Sequence, residues 1–206
     1  MRQHFDIETT QPFAILSDME TVIFETHATS LDNEAALASG LYDVGLSALG
    51  RREAADLGRR YHGVPLAAVC YPDLRRAVDT VKIAFGGTGF PFRCDRRLRE
   101  CDYGDLTRSP ISTVEREKSR RITEPFPNGQ SYTQTTDLMG DFLRDVVANS
   151  GSGQVLIVGC RATQYGLDYW LNGRSLRDAV ATPLDWQPGW NYEVTTEARD
   201  RLFRSR

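Results

Sequence analysis

Three short stretches of this 206-residue chain carry side chains that could act together on an anion. His27 stands in the polar run Glu25–Thr29, directly after the apolar Thr21–Phe24. Arg75 and Arg76 follow Tyr71-Pro72-Asp73, and Cys160-Arg161 follow Val155–Gly159. An imidazole offers a nucleophile or a base near neutral pH. Arginine offers a planar fork of donors suited to phosphate or carboxylate. A thiol offers a second nucleophile where its surroundings lower its pKa. Taken singly, each has a plainer reading: His27 as a capping or core histidine, Arg76 as a solvated helix residue, Cys160 as a small buried side chain. It is their joint position that points to chemistry.

The elements that must hold them alternate along the chain. Thr21–Phe24 reads as a strand. Ser47 caps a helix through Tyr61, with Ala54, Leu57 and Tyr61 on one face. Leu66–Cys70 is a short buried strand ended by Pro72. Asp73 then caps a helix whose Leu74, Ala77, Val78, Val81 and Phe85 form an apolar stripe. Residues 101–130 are rich in turn formers and charge, with a short helix at Ser112–Arg120. Ser131 caps a longer helix to about Ala148, with Leu138, Phe142 and Val146 at four-residue spacing. A turn at Ser150–Gly153 leads into the apolar strand Gln154–Gly159, a helix over Ala162–Leu171 and a last strand at Trp190–Thr195. This alternation predicts an α/β fold, and a strand as apolar as Val155–Val158 belongs in a parallel sheet covered on both faces. Ligands of such sheets sit at the carboxyl ends of the strands. Thr26–Thr29, the Tyr71–Arg76 turn and Gly159–Arg161 therefore share one rim, where arginines at helix starts join free backbone N–H groups.

Composition bounds what the rim can serve. Hydrophobic residues are 40% and charged residues 26%, a globular balance. The length predicts one domain over 1–206, with a leader at 1–20, a lid or insert at 101–130 and a C-terminal extension at 174–206. A net charge of −3 argues against a general nucleic-acid partner. Only Lys82 and Lys118 are lysines, so 23 of the 25 basic residues are arginine, a bias read first as coding composition. No apolar run approaches membrane length, and the acidic N-terminus lacks the core of a signal peptide. The four cysteines form no C-x-x-C pair. A reduced cytoplasmic protein without membrane or nucleic-acid partner is the expectation, and assembly as a homodimer stays open.

Over roughly residues 21–173 the chain resembles the histidine phosphatase superfamily, the phosphoglycerate-mutase-like fold. That family opens with strand-Arg-His-Gly-Glu-Thr; here the segment reads Phe24-Glu25-Thr26-His27-Ala28-Thr29-Ser30, then Asn33. Gly40-Leu41-Tyr42-Asp43-Val44-Gly45-Leu46-Ser47 and Leu49-Gly50-Arg51-Arg52-Glu53-Ala54 resemble its G-x-x-D-x-x-L-[ST]-x-x-G-x-x-[QE]-A stretch. Asp73-Leu74-Arg75-Arg76-Ala77 resembles S-D-L-x-R-A, Leu98-Arg99-Glu100 resembles L-x-E, and Pro127-Asn128-Gly129-Gln130-Ser131 resembles P-x-G-E-S. Val155–Gly159 corresponds to the strand before the second family histidine. The resemblance implies a three-layer α/β/α sandwich with a mainly parallel sheet, and His27 and Cys160 at the ends of neighbouring strands.

The same resemblance implies hydrolysis of a small phosphate monoester through a phosphohistidine at His27. Arg76 would clamp the phosphoryl group, and Glu100 would be the acid/base carboxylate. Thr26, Asn33, Ser39 and the Gly40 amide would support it, and neither a metal nor another cofactor is implied. The chain departs from the pattern twice. Thr26 stands in place of the first arginine, and Cys160 in place of the second histidine. Loss of one transition-state donor costs about 10²–10³ in rate. Arg161 could swing its guanidinium over the altered site, or point away. The alternatives are the same fold repurposed for non-phosphoryl chemistry on an anionic substrate through Cys160 and His27, and a non-catalytic binder of phosphate esters.

Overall fold

The structure, a computed structural model, describes residues 21–149 and 153–204. A five-stranded sheet runs in the order β3-β2-β4-β1-β5, with β1 Thr21–Thr26, β2 Leu66–Tyr71, β3 Phe92–Cys94, β4 Gln154–Gly159 and β5 Trp190–Glu193. β1, β2, β3 and β4 are parallel; β5 alone pairs antiparallel, on the outer edge of β1. Helices α2 (Ala48–Arg60) and α3 (Arg75–Phe85) cover one face. The other face carries α5 (Tyr132–Asn149), α6 (Arg161–Trp170) and α8 (Thr196–Arg204). The short helices α1 (Leu31–Glu34), α4 (Ile111–Glu117) and α7 (Leu176–Ala181) lie in the connections. This is the expected three-layer sandwich.

The alternation of side chains explains why the central strands are so apolar. Val22 and Phe24 of β1, with Val155 and Ile157 of β4, pack under α5 and α6. Ile23, Leu156 and Val158 pack instead against Leu57, Val81 and Phe85 on the opposite face. Both faces are dry, so every position of β4 from Val155 to Val158 must be apolar. Each such side chain contributes about 1.5–3 kcal/mol by leaving water.

Several local expectations are met. Ser47 caps α2 through its hydroxyl, which accepts from the Gly50 amide. Ser131 and Gln134 cap α5 reciprocally, side chain to backbone in both directions. Others need correction. Asp73 does not cap α3; Leu74 holds that position without a side-chain bond. The Asp73 carboxylate is paired with the Arg99 guanidinium, and a charged partner outcompetes a neutral amide. Asp43, 32 residues upstream, accepts from the Arg75 amide at 2.7 Å instead. Leu138 is on the exposed rim of α5, because steps of four residues drift about 40° around a helix. The buried face runs through Thr135, Met139, Phe142, Leu143 and Val146.

The helix expected at Ser112–Arg120 is shorter, Ile111–Glu117, and a 3-10 turn follows at Arg120–Ile122. The last strand ends at Glu193, and β3, α7 and α8 had no counterpart in the sequence reading. The leader at 1–20 and most of the Ser150–Gly153 turn lie outside the described residues. Among the described residues no helix is long and apolar enough to cross a membrane.

Candidate active site

The site forms where β1 and β4 end side by side. Thr26 pairs in register with Gly159, and the His27 amide donates to the Gly159 carbonyl at 2.9 Å. His27 and Cys160 therefore leave adjacent strands at the same level. α3 brings Arg76 between them: its Nε is 3.2 Å from His27 Nε2, and one terminal nitrogen is 3.7 Å from Cys160 Sγ.

Two side chains fix that arrangement: Thr80, which the sequence reading did not single out, and Glu53, which it quoted within a motif without a role. The Thr80 hydroxyl accepts from the Ala28 amide at 3.0 Å and donates to the Arg76 carbonyl at 2.6 Å. It thereby ties the turn after His27 to the first turn of α3. The only signal for it in the sequence is its place one helical turn after Arg76. Glu53 accepts from the Thr29 amide at 2.8 Å. Beside it, Gly50 meets the His27 loop so closely that a Cβ would lie 2.0 Å from the Thr29 carbonyl oxygen. Only glycine lets α2 start there.

His27 has a defined tautomer. Nδ1 lies 2.8 Å from the Ala28 carbonyl, so it carries the proton, and Nε2 presents a lone pair to Arg76 Nε. Withdrawal from water, reinforced by the Arg76 charge and opposed by the Ala28 carbonyl, lowers its pKa to about 3. The ring is neutral at physiological pH, and the Nε2 lone pair, which here accepts from Arg76 Nε, is the one a nucleophile needs.

Arg76 is 2% exposed and makes no ion pair among the described residues. Its terminal nitrogens donate to the carbonyls of Gly40 at 2.9 Å and Tyr42 at 3.1 Å. Gly40 turns its carbonyl, not its amide, toward the arginine, at a φ of +51° that suits glycine. A buried cation held only by neutral acceptors carries an uncompensated charge. An anion entering the cavity can match that charge.

At the start of α6 the amides of Arg161 and Ala162 are committed to a carboxylate, and at α3 that of Arg75 is, so the expectation of free N–H groups is corrected at these three amides. Asp43 takes the first amide of α3. Glu100 takes the start of α6: its Oε2 accepts from Arg161 N at 3.1 Å, and its Oε1 from Ala162 N at 3.3 Å and Cys101 N at 2.9 Å. Glu100 thus reaches the rim through the backbone on which Cys160 sits. Positive charge for a ligand comes from Arg76.

Thr26, Asn33 and Ser39 all line the cavity. Asn33 Oδ1, however, accepts from the Ser30 amide and hydroxyl, which makes it the reciprocal cap of α1. Arg161 also lines the cavity, but its guanidinium is held by Gln164 Oε1 and the Thr182 carbonyl and lies 4.8 Å over the Tyr165 ring. It does not reach over Cys160, which corrects the expectation that it could take over the altered position. Burial bears on the thiol reading as well. Cys160 is 1% exposed, and burial pushes its pKa up to about 11 although Arg76 pulls the other way. A thiol protonated at neutral pH is a weak donor and a poor nucleophile.

The cavity has a volume of about 760 Å³ and runs from His27 and Arg76 to Leu184 and Trp186. Residues 101–130 furnish much of its wall through Tyr103, Ile111, Val114 and Lys118. Among the described residues, no group of three His, Cys, Asp or Glu side chains is arranged to hold a metal ion.

Comparison with known proteins agrees with this architecture. The Citrobacter koseri protein named "Probable phosphoglycerate mutase GpmB" is 27% identical over 198 residues, covering 85% of this chain and 92% of its own length. Its namesake from Salmonella choleraesuis is 25% identical over the same span. Bacillus stearothermophilus YhfR superposes with a TM-score of 0.73 at 23% identity, covering 85% of this chain and 92% of its own. The mycobacterial glucosyl-3-phosphoglycerate phosphatase, solved in complex with inorganic phosphate, gives a TM-score of 0.68 at 21% identity over 80% of this chain and 84% of its own. A family profile matches residues 22–185, nearly the whole described sheet and its helices, and by that match the chain belongs to the histidine phosphatase superfamily, branch 1.

Proposed function

We propose that the chain hydrolyses small phosphate monoesters through a phosphohistidine at His27. One observation carries this reading: a neutral imidazole presents its unprotonated Nε2 to a buried arginine that has no carboxylate partner. A phosphoryl group entering between them meets nucleophile and counter-charge together.

In the first half-reaction, His27 Nε2 attacks phosphorus in line with the ester oxygen. The N–P bond forms as the P–O bond to the alcohol breaks, and Glu100 gives its proton to the departing oxygen. Arg76 follows the charge on the equatorial oxygens throughout, which is where most of the catalysis of phosphoryl transfer resides. In the second half, water attacks phosphorus, the N–P bond breaks, and the water proton returns to Glu100. Ser39, 8% exposed at the cavity wall, and Thr26 at the end of β1 offer hydroxyls to the remaining oxygens. Cys160 replaces a strong donor by a weak one, so turnover is slow for this kind of site.

The test is release of inorganic phosphate from a panel of sugar, glycerate and nucleotide phosphates with chelator present, together with acid-quench detection of phosphate on the protein. Release that disappears in His27→Ala, with acid-labile phosphate on His27 of the wild type, supports the reading. Turnover that survives His27→Ala refutes it. Binding of phosphate esters with neither turnover nor phosphohistidine leaves the non-catalytic alternative, which the weak donor at Cys160 favours.

A further inference from the structure

We infer that the cavity selects a phosphate monoester whose alcohol is uncharged and apolar, and rejects one that carries a carboxylate or a second phosphate. The inference rests on the phosphate site proposed above and concerns the rest of the same cavity.

The first observation is the state of the cations. Four basic side chains line the cavity: two are paired with carboxylates, Arg161 spends its donors on neutral groups, and Arg76 is the one that reaches His27. Arg60 donates to both oxygens of Glu25 at 3.1 Å, with Tyr61 donating to the same carboxylate. Lys118 is paired with Glu115 at 2.5 Å. Arg161 is committed to Gln164, to the Thr182 carbonyl and to the face of Tyr165. Apart from Arg76 and Glu100, which act on the phosphate, the wall with Glu53 and Asp56 holds four carboxylates against three cations. Once a phosphoryl dianion occupies Arg76, the remaining wall is net negative. A carboxylate on the substrate would lose its water there among more carboxylates than cations.

The second observation is independent of charge. Ile111, Leu184 and Trp186 line the cavity and yet are 46%, 48% and 57% exposed. They come from two separate segments, the start of α4 and the connection between α7 and β5, and they form an apolar mouth. Further in, Tyr103, Tyr132 and Tyr165 present a buried aromatic wall; the rings of Tyr132 and Tyr165 meet edge to face at 5.4 Å. Apolar side chains left in water around a polar anion site gain by covering an apolar ligand. A cavity of about 760 Å³ lined by both Arg76 and this mouth has room for a phosphoryl group and an aromatic leaving group together. A glycerate would leave the mouth wet and place its carboxylate among acids.

The test separates binding from turnover by using phosphonates, which cannot be hydrolysed. Calorimetry on the full chain compares 2-phenylethylphosphonate with 2-carboxyethylphosphonate, which differ only in the distal group, and uses inorganic phosphate as the reference. The phenyl compound is expected to bind at least about tenfold more tightly, the order given by burying part of an aromatic ring. In Trp186→Ala, a change at an exposed position, the ratio should fall to within about threefold of unity. Equal binding, or tighter binding of the carboxyethyl compound, overturns the inference and leaves the phosphatase reading intact. A phenyl preference without turnover of any ester sustains the inference and defeats catalysis alone. Failure of both phosphonates and of phosphate to bind overturns the two together.

Discussion

Replacing Arg76 by methionine tests the site at its centre, because two structural effects of opposite sign accompany one functional loss. Arg76 is 2% exposed and has no carboxylate partner, so its burial costs several kcal/mol of solvation that the variant recovers. Against that, the Gly40 and Tyr42 carbonyls lose their donors, at about 1–3 kcal/mol each. The two nearly cancel, and the stability of Arg76→Met should lie within about 2 kcal/mol of wild type, below the usual cost of altering so large a buried side chain. Phosphate affinity, in contrast, should vanish. A ligand present at a hundred times its Kd stabilises a protein by about 2.7 kcal/mol. For a chain of this length that is a rise in Tm of roughly 5–10 °C. Thermal melts across a phosphate titration should show that rise in wild type and none in Arg76→Met, with phosphate release down by about 10³-fold or more. A phosphate-dependent rise that persists in the variant would show that the anion binds elsewhere. A loss above about 4 kcal/mol without ligand would mark Arg76 as a structural residue.

Cys160→His should raise the rate of phosphate release by about 10²-fold, since an imidazole donor then faces the phosphoryl oxygens beside Arg76; an unchanged rate removes Cys160 from the working set. Glu100→Gln should lower turnover by about 10²–10⁴-fold. It should also lower stability by about 1–3 kcal/mol, because an amide N–H₂ then confronts the backbone donors of Cys101, Arg161 and Ala162; unfolding in urea reads the second effect. His27 is held near 3 in the folded chain against 6.5 when unfolded, so between those values only the unfolded chain takes up the proton. Its contribution is therefore neutral above about pH 6.5 and destabilising as the pH falls, with a slope of up to about 1.4 kcal/mol per unit. His27→Asn should remove that slope from the pH dependence of urea unfolding, and a wild-type slope retained in the variant refutes the assignment.

The pattern of apolar runs was enough to place β1, β2, β4 and β5 along the chain. Val155–Val158 had to be covered on both faces, and Ser47 and Ser131 announce the helices that follow them, because capping and burial periodicity act within a few residues. Since a parallel sheet exposes the carboxyl ends of its strands on one edge, His27, Arg76 and Cys160 met on the rim where the sequence put them.

What tertiary structure alone decided is the partner of each charged group. Asp43 rather than Asp73 holds the start of α3, and Glu100 accepts from Arg161 across 61 residues. Thr80 links the His27 turn to Arg76, and Gln164 with the Thr182 carbonyl draws Arg161 aside. Burial turned Cys160 from a candidate thiolate into a protonated thiol. The three-residue strand β3 and the apolar mouth at Ile111, Leu184 and Trp186 likewise left no periodic trace. Hydrogen bonds and ion pairs between distant segments are chosen by where the backbone brings donors and acceptors within about 3 Å, and such pairings have no local period in the chain.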